Sequence, residues 1–220
     1  MREKIEILRL GIDGRWAAEE MGRSLLHIQD LYNLRLIIQV IYEDWRDLER
    51  LYDELMHFPS FRRGKRRRLI YPALFSNPYQ IPPAIPLVSQ DLIRISNFLY
   101  PQEKLEVQRI QYGSEGFKDL AGIGEIVGHI KDFILKLIEH KSAKRQRELE
   151  NEEKEIRNQQ LRIENARSFV ALAKECGYSE PEIRSLVHFV DDRQQTLVDL
   201  IDTDKIRSVR LLNDNERKNQ

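Results

Sequence analysis

Between Tyr112 and Cys176 the sequence changes character twice, and no other stretch limits the accessible folds as much. A turn rich in glycine (Gly113, Gly116, Gly122, Gly124, Gly128) leads into an apolar helix. There Leu120, Ile123, Val127, Ile130, Ile134 and Leu137 recur at steps of three and four, widened by Ile126 and Phe133. Beyond His140 the composition stays helical, but Leu149, Ile156, Ile163 and Val170 leave one apolar residue per heptad. Glu, Gln or Ala fills the other seam position. A coiled coil needs both positions, so this helix pairs weakly and is expected to lean on another surface.

Charge fits that picture. Charged residues make up 33% of the chain, above the usual quarter or so, yet 36 basic and 36 acidic side chains cancel. Bulk electrostatics therefore predict neither nucleic acid nor an acidic partner, and any such role must come from a local patch. Cys176, the single cysteine, excludes an intrachain disulfide and a thiolate metal cluster. The start, MREKIEILRLGIDG, has no apolar core of a signal peptide, and no run of about eighteen apolar residues is present. The expected location is cytoplasmic.

Elsewhere the pattern reads as two strands and several helices. Residues 4–12 mix β-branched and charged side chains, and 104–112 match them: Ile5 with Leu105, Ile7 with Val107, Arg9 with Arg109, Leu10 with Ile110. The two are read either as a duplicated strand–helix unit or as strands selected for the same pleated surface, able to pair with each other. Residues 16–58 carry a heptad seam through Leu31, Leu34, Ile38, Ile41, Trp45, Leu48, Tyr52 and Leu55, and Pro59 stops that helix. Residues 59–88 hold six of the eight prolines and form a basic connector. Ser89 to Leu99 read as a short helix. Ser179-Glu180-Pro181-Glu182 is a capping box, so a helix begins at Glu180.

No catalytic, cofactor or metal motif stands out. The glycine turn lacks the Lys-Ser/Thr pair of a phosphate loop, and Glu115 and Asp119 are read as complementing the helix dipole. Gly124 and Gly128 are expected to let that helix approach a neighbour closely. The five histidines show no ligand spacing. Two surfaces remain. Arg62, Arg63, Lys65, Arg66, Arg67 and Arg68, beside Phe58, Phe61 and Tyr71, can contact nucleic-acid phosphates or an anionic membrane. The apolar positions Ile123, Val127, Ile130, Phe133, Ile134, Leu137, Leu149, Ile156 and Ile163 form a candidate protein-interaction surface.

The segments RIQYGSEGFKDLAGIGEIVGHIKDFI (109–134) and RIENARSFVALAKECGYSEPEIR (162–184) resemble bacterial proteins with a strand, a YGS-type turn, a Gly-rich helix and a long charged helix. That resemblance covers about the C-terminal half and carries over no activity or site residue. The combined expectation is an α+β, predominantly helical chain, with a small sheet covered by long helices, an extended charged helix and a C-terminal helical hairpin. Its divisions are a body over 1–140, a charged helix and hairpin over 141–212, and a polar tail over 213–220. The expected role is a non-catalytic, self-associating adaptor or scaffold in a bacterial regulatory or defence system, a homo-oligomer with a protein partner. A nucleic-acid-binding module and a peripheral membrane protein are the alternatives, and no cofactor is expected.

Overall fold

A computed structural model describes residues 4–57, 87, 90, 92, 103–113, 116–145 and 151–212. In chain order these form β1 (Ile5–Ile12), α1 (Ala18–His57), β2 (Glu106–Gln111), β3 (Gly116–Ile123), α2 (Gly124–Arg145), α3 (Asn151–Glu175), α4 (Glu180–Asp202) and β4 (Ile206–Leu211). The strands make one antiparallel sheet in the order β2-β3-β1-β4. The architecture is α+β, as the sequence pattern indicates. The basic connector 59–88, the short helix 89–99 and the tail 213–220 fall mainly or wholly outside the described residues.

Both expected strands exist, but they do not pair. β3 lies between them, and the chain there is a strand rather than the start of a helix. Arg9 and Arg109 both stand opposite Asp119 of β3, one from each side. Their matched patterns therefore serve two strands that run parallel to each other across a shared antiparallel neighbour. β3 is hard to read because it is buried on both faces, so Phe117, Asp119 and Ala121 alternate with Lys118, Leu120 and Gly122 without a polar–apolar rhythm. The helix begins only at Gly124, and Asp119 pairs with Arg9 instead of facing a helix dipole.

β4 is the second departure from expectation. Residues 206–211 pair with β1, but the register slips between Gly11 and Ile12, which breaks the period-two pattern in the sequence. β2 also carries a register shift, between Val107 and Arg109. The 140/141 boundary does not divide the core, because Phe169, Cys176, Leu197 and Ile206 share one apolar cluster with Leu8, Ile28 and Val127.

The helices cover one face of the sheet. Leu8, Leu10, Leu120 and Val209 lie on that face and are buried. α1 is enclosed on every side over residues 31–38, where α2, α3 and α4 surround it. A helix apolar all round is a central one, which is why its seam looked like half of a coiled coil. Side chains from Trp45 onward on that seam lie outside the description.

Two local devices fix the ends. Gly177, at φ 80°, closes α3 with Tyr178 N–H donating to Ala173 O at 3.1 Å and Gly177 N–H to Lys174 O at 2.9 Å. The Glu182 carboxylate then accepts from Ser179 N–H at 2.9 Å, as the capping box requires, and α4 starts at Glu180. Cys176 is buried between them, its sulfur 4.0 Å from Ile38 O, and burial raises its thiol to about 11.

Tyr32 joins α1 to the sheet. Its hydroxyl accepts from Ile123 N–H and donates to Glu103 O, both at 2.8 Å. Gly122 makes room for the ring, since a Cβ there would sit 2.7 Å from Tyr32 Cε2. Gly124 likewise lies against Glu6 and the Lys4 carbonyl, whereas Gly128 faces open space and serves no close approach. Gly122→Ala is expected to lower stability by about 1–3 kcal/mol, read from urea denaturation midpoints, through displacement of Tyr32.

Candidate functional site

Three places in the structure hold charge in an unusual setting. The first is a small cavity of about 20 Å³ where α1, α2 and α3 meet. α1 contributes Arg35, a charged residue within the run LRLIIQVIY and only 9% exposed. Its Nη1 donates to Ser168 O at 3.1 Å, and its Nη2 lies 3.3 Å from His129 Nε2. A guanidinium only donates, so Nε2 accepts and His129 is neutral with its proton on Nδ1. Burial, then the nearby Arg35 charge, hold that imidazole below its ordinary range. Arg35 Nε has no hydrogen-bond partner, and no described carboxylate forms an ion pair with the guanidinium. Asn165 and Ser168 of α3 supply the remaining polar lining.

The second place is Lys118 on β3, fully buried against α1. Its ammonium donates to Ser24 Oγ at 2.7 Å and lies 4.0 Å from the centroid of the Trp16 ring. Glu20 is the charged group that favours its proton, but burial outweighs it and brings Lys118 from 10.5 to about 8. Glu20 itself is paired with Lys205. An open groove of about 400 Å³ next to Glu20 is lined by Glu19, Arg23 and Asp199 as well, and its acids are largely matched: Glu19 meets Arg23, and Asp199 accepts from Gln195.

The third is the sheet face turned away from the helices. Register places Arg210, Arg9, Asp119 and Arg109 in one row across all four strands, with Ser208, Gly11, Phe117 and Gln111 in the next. Arg9 donates through Nε and Nη2 to both oxygens of Asp119, at 2.7 Å each. The same guanidinium lies 4.0 Å from the Phe117 ring centroid, and Arg109 lies 5.4 Å from it. Arg109, Gln111, Ser208 and Arg210 are exposed.

The candidates read from sequence fare differently. Ile123, Val127, Ile130, Phe133, Ile134 and Leu137 are all buried in the chain's own core, so that seam is not available to a partner. The reason is local: α2 turns this face onto the sheet and the other helices. Ile156 and Ile163 point outward, at 56% and 47% exposure. Leu149 and the basic run Arg62, Arg63, Lys65, Arg66, Arg67 and Arg68 lie outside the described residues. No described helix is long and apolar enough to cross a membrane, and no three described His, Cys, Asp or Glu side chains converge on a metal-sized site.

Sequence reading passed over Arg35 and Lys118 and gave Asp119 to a helix dipole. Arg35 had a visible signal, a single cation inside an apolar run. Lys118 and Asp119 had none until β3 was recognised as a strand. No protein-family model, curated protein or solved structure matches the chain.

Lys118 yields a pH dependence of defined sign. Its folded value near 8 lies below the unfolded 10.5, so between these values the unfolded chain binds more protons. Its burial penalty is therefore fully present below pH 8 and is relieved as pH rises toward 10.5. Lys118→Met is expected to be more stable than wild type by about 1–3 kcal/mol at pH 7, with the gap closing by pH 10. Denaturant titrations at the two pH values measure this. A gap independent of pH contradicts the assignment.

Proposed function

We propose that the protein is a non-catalytic, self-associating adaptor that meets a second copy through the outer face of α3. One observation carries this reading. Ile156 and Ile163 are one heptad apart and about half exposed, while Ala166, Phe169 and Ala173 of the same helix are buried. α3 thus has an inner face occupied by the fold and an outer face with an apolar spacing of seven. Two copies of that face meeting give the knobs of a short helix pair. The thinness of the stripe points to a weak association strengthened by concentration or by a further partner.

The test is solution mass by light scattering during gel filtration, at low and at high salt. Wild type is expected to exceed the monomer mass in both. The double variant Ile156→Glu, Ile163→Glu is expected to run as a monomer with an unchanged circular dichroism spectrum. A wild-type monomer at both salt concentrations defeats the proposal.

A second reading is favoured by the open sheet face. Arg109 beside Phe117, on a face with exposed amide and hydroxyl groups, offers a planar cation and an aromatic ring to a single-stranded nucleic acid. Fluorescence anisotropy with a labelled oligonucleotide checks it. Arg109→Gln is expected to weaken binding and to make the log–log salt slope shallower by about 0.7, one phosphate contact's worth on a single strand.

A further inference from the structure

A cation withdrawn from water needs a counter-charge, and among the described residues none contacts Arg35, whose guanidinium lies 5.8 Å from the Phe169 ring centroid. The other buried charges among the described residues are answered. Asp119 is held by Arg9 at 2.7 Å, and Asp30 by Arg193 at 3.2 Å. Lys118 can give up its proton as pH rises through about 8. An arginine has no such exit, because its guanidinium stays protonated at any ordinary pH. The hydrogen bonds of Arg35 go only to neutral groups, a backbone carbonyl and an imidazole, and its Nε donor is left over.

The space that Arg35 lines is the second half of the argument. The cavity lined by Arg35, His129, Asn165 and Ser168 has a volume of about 20 Å³. That exceeds the minimum of roughly 10–15 Å³ for one water-sized occupant, and it is far too small for a phosphate or sulfate with its shell. Much of the remaining wall is apolar, Phe133 and Phe169 included. Such a wall suits a weakly hydrated ion better than a strongly hydrated one. The nearest carboxylates act only at longer range: Glu125 on Arg35 and His129, and Asp132 on His129. Glu125 is itself exposed and accepts from Gln39 at 3.3 Å.

We infer that this cavity is a binding site for a single small monovalent anion of the halide class. Arg35 holds the ion by charge and through Nε, with the Asn165 amide as a further donor. The site joins α1, α2 and α3 at one point, so an occupying ion fastens α3 to the central helix. This stands independently of what the outer face of α3 binds.

Thermal unfolding of the whole chain in sodium chloride, sodium bromide and sodium gluconate, at matched ionic strength, tests the inference. Chloride and bromide are expected to raise the wild-type midpoint by a few degrees along a saturating curve, as a ligand specific to the folded state does, and gluconate is not. Two variants decide whether the effect belongs to this cavity. Arg35→Met keeps the length and removes the charge, and is expected to lose the halide response. Asn165→Asp places a built-in negative charge in the cavity, and is expected to melt higher than wild type in gluconate and to ignore halide. Equal midpoints in chloride and gluconate overturn the site, and so does a halide response that survives in Asn165→Asp. A bromide anomalous signal located away from Arg35 does the same.

Discussion

The position of β1 in the sheet governs the rest of the molecule. The first strand of the chain is paired on both edges, by β3 from the middle and β4 from near the end. Its side chains suit that place. Leu8, Leu10 and Ile12 are buried on the helix face, and Gly11 has no Cβ where one would stand 2.1 Å from Ser208 Oγ. Because β1 and β4 meet in one sheet, α2, α3 and α4 are drawn over a single face and onto α1. This explains how α3, with so few apolar residues, is held as a helix. Isolated, a helix of this composition is marginal; here it is fastened between α1, α2 and α4.

Burying charge is expensive, and the fold handles it in several ways. Arg9 and Asp119 form a two-point ion pair with an aromatic ring against it, a geometry in which the desolvation cost is largely returned. Arg193 lies 3.7 Å from the Phe189 ring centroid while pairing with Asp30. Lys118 combines one hydroxyl, one indole face and a lowered affinity for its proton. Arg35 also lies near an aromatic ring, that of Phe169 at 5.8 Å, but no described carboxylate pairs with it and it keeps its charge, which is why it stands out chemically in the interior.

Helices were more legible in the sequence than strands, for a physical reason. The capping box at Ser179 and the seam of α2 are local signals, and each lies within a few residues of the end or face it specifies. β3 and β4 are specified by partners far away in the chain. β3 sits between two strands with buried residues on both alternations, so no polar–apolar rhythm survives, and β4 carries a slip that spoils its own. The likeness of residues 4–12 and 104–112 was a real clue, but it reported a common neighbour rather than mutual contact. Among the sites, Arg35 was readable as an anomaly in an apolar run. The exposure of Ile156 and Ile163, against the burial of Ile123 and Leu137, depended on which face the tertiary packing used, and periodicity alone does not choose.

Cys176 gives the chain a property unrelated to any binding surface. The thiol is 1% exposed at the corner between α3 and α4, and with an affinity for its proton near 11 it is almost never a thiolate in the closed structure. Thiol reagents act on the thiolate and need access to it, so in the native state they wait for that corner to open. With no other cysteine to compete, the rate of modification becomes a clock for the departure of the C-terminal hairpin from the core.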